Sequence, residues 1–498
     1  MQKANQPTTL WELLERGADD ATAIVVPETG ERISYADLRG RVFAMAEALA
    51  GAGVARGERV AMALPNGLPA VVAFLAASVA GTSAPLNPGY REEEFRFYME
   101  DTAARVLLVP PEGMEAARAA AASMNVPVLA VDAAARLDAP RRSCAPPSAA
   151  DVALVLHTSG STGRPKRVPL AHGKLAVSAK NVVDTYQLTP ADVSLCVMPL
   201  FHVHGLVAST LGTLLSGGTL VVPGKFNALS FWRTLNENKV TWYSAVPTIH
   251  QLALSRVSAG RPQGAERLRF IRSCSAPLPV ETAKKMEESI GVPVLEAYGM
   301  TEASHQMASN PLPPLEHKFG TVGRATGLRI GIMDEAGNLL EPGQLGEVVI
   351  QGPNVVDGYE NNPEANATSF TNGWFRTGDQ GSIDAEGYLK LTGRLKEMIN
   401  RGGEKISPVE IDEVLLAHPA VAEAVAFGVP HKTWGEEVSA AVVLGSTATE
   451  AEIIAYCKER LADYKMPKTL HVLKAIPRTA TGKIQRRNVA ATLAAETR

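Results

Sequence analysis

His157-Thr158-Ser159-Gly160-Ser161-Thr162-Gly163-Arg164-Pro165-Lys166 follows the apolar run Val152–Leu156, which predicts a buried strand ending in a turn. Its composition suits a polyphosphate. Glycine lets the backbone approach anionic oxygens, hydroxyls and amides donate hydrogen bonds, and the lysine adds charge. The spacing differs from the common nucleotide loop GxxxxGK[ST], because Pro165 precedes the lysine and no hydroxyl follows it. Taken alone, the run reads equally as a polar surface loop.

Four further stretches decide between these readings: Tyr298-Gly299-Met300-Thr301-Glu302, Trp374-Phe375-Arg376-Thr377-Gly378-Asp379, Gly393-Arg394-Leu395-Lys396-Glu397 and Pro477-Arg478-Thr479-Ala480-Thr481-Gly482-Lys483. In this order and at these distances the chain resembles the adenylate-forming enzymes, which include acyl-CoA synthetases, firefly luciferase and the adenylation domains of peptide synthetases. The resemblance runs from Ile33-Ser34-Tyr35 to Lys483.

The bulk properties agree. A chain of 498 residues, 46% hydrophobic, can hold two or more domains with substantial cores. A net charge of −3 argues against devotion to nucleic acid or an anionic membrane. No apolar run reaches the length of a membrane span, and no signal-peptide pattern opens the chain, so no membrane insertion is expected. Cys144, Cys196, Cys274 and Cys457 lack metal-ligand spacing and suit a reducing compartment. The last residues are not a peroxisomal address, which leaves a cytoplasmic protein of small-molecule substrates with no obligatory protein partner.

Helical and strand-like segments alternate through the first half: Tyr35 to Ala50 and Leu68 to Ala80 as helices, Arg59 to Leu64 and Arg105 to Val109 as strands. Met114 to Ala135 reads as a surface helix and strand. Such alternation predicts an α/β fold of parallel-type sheets flanked by helices. Past about Ile330, short strands at Arg329–Met333, Glu347–Gln351 and Gly387-Tyr388-Leu389 suggest a β-rich subdomain. After Arg394 a small α+β unit is expected, with Ser407 capping a helix that begins at Pro408, strands over Val421–Val429 and Glu437–Leu444, and a helix over Glu450–Leu461. The resemblance implies an N-terminal adenylation domain (1–393), a hinge (394–396) at Lys396 and a mobile C-terminal domain (397–498).

The same resemblance assigns the chemistry. A carboxylate is a poor electrophile until joined to AMP with loss of pyrophosphate, and cationic groups must follow the charge as it moves. Lys483 matches the lysine that serves adenylation, and Thr158, Ser159, Gly160, Ser161, Thr162, Gly163 and Lys166 match the clasp on the ATP phosphates. Glu302 matches the Mg²⁺ glutamate, an oxygen ligand for a hard cation. Asp379 and Arg394 match the ribose pair, Tyr298 the adenine-stacking ring, and Ala276-Pro277, Glu296-Ala297, Gly299 and Thr301 the adjoining walls. The loop Arg401-Gly402-Gly403-Glu404-Lys405 is the expected coenzyme A side, through Gly402, Gly403 and Glu404. Arg167 stands where glycine is usual, and Gly299 where alanine is expected.

The acid is read from Met198-Pro199-Leu200-Phe201-His202-Val203-His204-Gly205, Ser273-Cys274-Ser275-Ala276 and Thr301-Glu302-Ala303-Ser304-His305. On a strand, His202 and His204 would share a face, which suits either a metal pair or a pocket wall with His202 as the gate and His204 as a structural residue; with no third ligand in sequence the pocket wall is favoured. His202, Ser275 and His305 place three hydrogen-bond donors around a small space, which suits a short acid with a second carboxylate. The alternative makes His305 a surface residue and Ser275 a backbone-bonding hydroxyl. Phe270-Ile271-Arg272-Ser273-Cys274-Ser275-Ala276, Asn310-Pro311-Leu312-Pro313 and Asn400 to Pro408 resemble the oxalate–CoA ligases of plants and fungi. The implied reaction converts ATP, oxalate and coenzyme A to oxalyl-CoA, AMP and pyrophosphate. Malonate, a short fatty acid or an aryl acid is the alternative substrate. A carrier-protein-loading enzyme is the alternative activity, although the stretch after Lys483 leaves no room for a fused carrier domain. A catalytically dead binding protein is disfavoured by Lys483, Glu302 and the phosphate loop.

Overall fold

Helix Leu68–Ala80 explains how the N-terminal region holds together. Its residues are apolar all round, Pro69 occupies the first turn and Gly81 ends it, and all but one residue are buried. It packs against helix Tyr35–Gly51 and strands Thr82–Pro85 and Val152–Thr158 within one continuous core. Truncating a side chain such as Leu75 there costs about 2–5 kcal/mol. The computed structural model describes residues 6–158, 165–257, 260–478 and 484–496.

Two large sheets flank this region. The first has six strands, of which five are parallel and the last, Lys166–Ala171, runs antiparallel to Val152–Thr158. The second has nine strands with a parallel centre that includes Val193–Cys196, Trp242–Ala245, Phe270–Ser273 and Val294–Met300. Strand His305–Ser309 returns antiparallel along Val294–Met300. A five-stranded antiparallel sheet follows, containing Arg329–Met333, Gly346–Gln351, Trp374–Ile383 and Leu389–Arg394. The expected strand at Gly387-Tyr388-Leu389 starts only at Leu389. Gly387, at φ 86°, belongs to the turn before it.

Beyond residue 398 the sheet Glu404–Ile406, Ile399–Arg401, Gly435–Leu444, Val421–His431 carries helices Pro408–Leu416 and Glu450–Lys458 on its own apolar cluster. Ser407 caps the first of these through its hydroxyl, which accepts from Glu410 N, and Pro408 sits at its first position as expected. Among the described residues no helix is long and apolar enough to cross a membrane.

Candidate functional site

The candidate residues gather in three clusters. Ser159 to Gly163 and Lys483 lie outside the described residues, so the clusters are built from their neighbours.

The first cluster surrounds Asp379. Strands Trp374–Ile383 and Leu389–Arg394 pair Asp379 directly with Arg394, and Arg394 Nε lies 3.1 Å from Asp379 Oδ1. The Tyr298 hydroxyl donates to Asp379 Oδ2. Burial, then the neighbouring carboxylate, pushes the Tyr298 phenol well above its ordinary pKa. The Asp379 charge pushes Arg394 upward in turn.

The second cluster joins Lys166, Tyr359 and Glu302. Thr158 and Lys166, which bound the glycine-rich run in sequence, are register partners in the antiparallel pair Val152–Thr158 and Lys166–Ala171. Lys166 Nζ lies 4.4 Å from the centroid of the Tyr359 ring. The Tyr359 hydroxyl donates to Glu302 Oε1 at 2.8 Å. Burial raises the pKa of the Glu302 carboxyl, against the lowering effects of Tyr359, Arg394 and Lys166. Burial lowers that of Lys166; Glu302 opposes the shift and Lys396 adds to it. Arg167 faces the other way, as alternate strand residues must. Its guanidinium bonds the Asp101 backbone carbonyl and lies 3.3 Å from the Asp101 carboxylate and 3.5 Å from Glu360. The departure from glycine at this position therefore does not intrude on the Lys166 face.

The third cluster is polar and buried. His204 Nδ1 lies 3.0 Å from Ser275 Oγ, and its Nε2 lies 2.6 Å from Ser244 Oγ. His305 stacks on His204 with ring centroids 5.5 Å apart. Arg272, at zero exposure, bridges Ser244 and His305. Both Ser275 (φ 75°) and His305 (φ 121°) hold positive-φ backbone, a strained geometry that concentrates at functional positions. The surface alternative for His305 fails, since only 1% of it is exposed.

The histidine pair is not on a strand. His204 opens a π-helical turn, His204–Leu211, a form frequent at functional sites. His202 lies just before it with its ring 4.8 Å from Phe201, so the two imidazoles do not share a strand face. His204, expected to be structural, is the one that reaches Ser275. Tyr359 and Arg272 also escaped sequence reasoning. Arg272 left one signal, an arginine inside a strand whose four residues are all buried.

Gly299 ties the clusters together. A Cβ there would lie 2.0 Å from the His305 carbonyl oxygen, so the alanine expected at this position does not fit without moving His305. Gly299, next in the chain to Tyr298 of the first cluster, and His305 of the third are thus held backbone against backbone. Ala276 and Pro277 follow Cys274 and Ser275 after strand Phe270–Ser273, and Glu296 Oε1 accepts from Leu278 N at 3.0 Å. Ala297 is buried beside them, and Thr301 opens the short turn that carries Glu302.

Gly402 and Gly403 stand apart from these clusters. With φ of 62° and 97° they form the two-residue turn between Ile399–Arg401 and Glu404–Ile406, a conformation that favours glycine. Gly402 N donates to Trp434 O at 2.8 Å. Lys396 lies in the short turn Leu395–Glu397.

The AMP-binding enzyme family matches residues 11–360, and the AMP-binding enzyme C-terminal domain matches residues 410–483. The chain belongs to the AMP-binding enzymes. Among relatives of this AMP-binding enzyme, an oxalate–CoA ligase of Arabidopsis thaliana is 48% identical, covering 88% of this chain and 89% of that protein. An oxalate–CoA ligase of Saccharomyces cerevisiae is 43% identical, covering 96% of each. The crystal structure of ATP-bound MatB from Rhodopseudomonas palustris superposes with a TM-score of 0.91 at 32% identity, covering 97% of this chain and 98% of that one.

Proposed function

We propose that this AMP-binding enzyme is an AMP-forming acid–CoA ligase that activates oxalate. In the first half-reaction an oxalate oxygen bonds to the α-phosphorus of ATP and the bond to the β-phosphate oxygen breaks, giving oxalyl-AMP and pyrophosphate. In the second, the sulfur of coenzyme A bonds to the activated carbonyl carbon and AMP leaves, giving oxalyl-CoA. The thiol proton is lost to solvent.

The observation that carries the substrate is the third cluster. Ser275, His204 and His305 gather polar hydrogens beside a buried arginine, in a region backed against the Tyr298–Gly299 backbone. Long-chain acids are bound by burying methylenes, and these groups would be left unmatched by such a tail. The two oxalate–CoA ligases among the relatives support the same acid. His202, Ser275 and His305 are assigned to the acyl subsite.

Asp379 and Arg394 are assigned to the ribose, since a carboxylate accepts two hydroxyl hydrogens well. Tyr298, Gly299, Ala276, Pro277, Glu296, Ala297 and Thr301 are assigned to the adenine side. Thr158 and Lys166, with the run between them, are assigned to the phosphates, and Lys483 to the charge shifting onto pyrophosphate. The Glu302 carboxylate fits Mg²⁺: it is buried, it supplies oxygen, and burial leaves its charge under-compensated. Once bound, Mg²⁺ would neutralise phosphate charge. Tyr359 orients Glu302, and Lys166 supplies the second nearby cation.

Residues 397–498 are assigned to a mobile domain turning about 394–396, one face delivering Lys483 and the other presenting Gly402, Gly403 and Glu404 to coenzyme A. A cytoplasmic setting accords with four free thiols. The test is coenzyme-A-dependent AMP formation across a panel of acids. Oxalate is expected to give the highest kcat/KM, above malonate, hexanoate and aryl acids; preference for hexanoate would overturn the substrate.

A further inference from the structure

Arg272 is a buried cation whose partners among the described residues are all neutral. Its Nε donates to the Tyr186 hydroxyl oxygen at 2.8 Å, and Nη1 donates to Ser244 Oγ at 2.9 Å. Nη2 faces His305 Nε2 at 3.0 Å and Gln306 Oε1 at 3.2 Å, while Nη1 lies 3.5 Å from His204 Nε2. No carboxylate of the described residues stands within ion-pair reach of it. A buried charge left in this condition is costly unless an anion completes it.

A guanidinium carries donors only and keeps its proton, so each atom it faces must accept. That rule decides where two imidazoles carry their hydrogens. His305 Nε2 accepts from Arg272, which leaves the ring hydrogen on Nδ1, the side that a Cβ on Gly299 would approach to 3.4 Å. Ser244 Oγ accepts from Arg272 and turns its own hydrogen to His204 Nε2 at 2.6 Å. His204 then carries its hydrogen on Nδ1 and donates to Ser275 Oγ at 3.0 Å. The Ser275 hydroxyl hydrogen is left to point onward.

We infer that Arg272 is a positioning residue: it fixes both His204 and His305 as Nδ1–H tautomers, so that Ser275 and His305 each turn a donor toward the second carboxylate of the acid. This rests on the assignment of Ser275 and His305 to the acyl subsite. The device selects against monocarboxylates, whose apolar tails would give the Ser275 donor no acceptor and leave the Arg272 charge uncompensated. A fixed tautomer also explains why strained backbone is tolerated at both Ser275 and His305, since each donor must sit at one angle.

The test is long-range nitrogen–proton NMR of the full chain carrying ring-labelled histidine, with the two resonance sets identified through His204→Gln and His305→Gln. Both rings of the wild type are expected as neutral Nδ1–H tautomers. In Arg272→Met at least one ring is expected to change tautomer or take up a proton, with the KM for oxalate rising about tenfold or more and the KM for ATP staying within about twofold. Arg272→Lys, which keeps the charge, is expected to recover part of the oxalate KM. Nε2–H tautomers in the wild type would overturn the inference whether or not Arg272→Met folds. So would tautomers unchanged in a folded Arg272→Met. Nδ1–H tautomers in a protein that does not use oxalate would instead overturn the choice of acid and leave the role of Arg272 standing.

Discussion

Tyr359 donates its hydroxyl hydrogen to Glu302 Oε1 at 2.8 Å, and the same ring carries Lys166 Nζ 4.4 Å from its centroid. One aromatic side chain thus holds the carboxylate assigned to Mg²⁺ and the lysine assigned to the phosphates. Tyr359→Phe keeps the ring and removes the bond. A hydrogen bond to a charged group is worth about 1.5–3 kcal/mol, so adenylation is expected to slow by about tenfold or more and to need more Mg²⁺ for half-maximal rate. Pyrophosphate exchange measured against Mg²⁺ concentration checks this; an unchanged Mg²⁺ dependence contradicts it.

Asp379 meets Arg394 on one oxygen and Tyr298 on the other. Asp379→Asn keeps the shape and removes the charge that both partners require. The kcat/KM for ATP is expected to fall on the order of a hundredfold, since charge-assisted bonds to the ribose and to Arg394 weaken together. Steady-state kinetics at saturating oxalate read this out. A loss confined to the oxalate KM would move Asp379 to another subsite.

The pKa of Glu296 is raised to about 8 by burial and by the nearby Glu413 charge, against 4.5 for an ordinary glutamate, even though Leu278 N pulls it back down. The folded chain therefore holds this proton more tightly than the unfolded chain. Its contribution to stability is full below about pH 4.5 and is lost as pH rises through about 8. Glu296→Gln removes the slope. The stability of the variant relative to wild type is expected to rise across this window by a few kcal/mol, on the order of the shift itself. Urea unfolding at several pH values checks the sign; a constant difference contradicts it.

The two half-reactions separate the role of Lys483. Lys483→Ala is expected to suppress adenylation by about a hundredfold or more and to leave thioester formation from preformed oxalyl-AMP within about a few-fold of wild type. Single-turnover measurement of each half-reaction distinguishes them. Equal loss in both would contradict the assignment.

What could be read from the sequence was local. Helix Leu68–Ala80 announces itself because no face is polar and a proline and glycine bracket it. Ser407 and Pro408 mark their helix by capping chemistry. The strand Val152–Thr158 is signalled by its apolar run, while the strand that begins at Lys166 is decided by pairing with it. What escaped was made by contacts across the fold. Tyr359 meets Glu302 from 57 positions away, and Arg272 reaches Ser244, 28 residues off, and His305, 33 residues off, in opposite directions along the chain. No periodicity encodes such meetings. The stretch around His202 and His204 misled for a different reason: a π-helical turn replaces the strand period with a wider one, and the histidine that reaches Ser275 changes with it.

The most direct measurement is exchange of labelled pyrophosphate into ATP by the purified chain, with oxalate present and coenzyme A left out. Exchange that depends on both oxalate and Mg²⁺ is the predicted result, because the acyl-adenylate forms before the thiol is needed. Exchange supported by hexanoate but not by oxalate, or by no acid at all, would contradict the account.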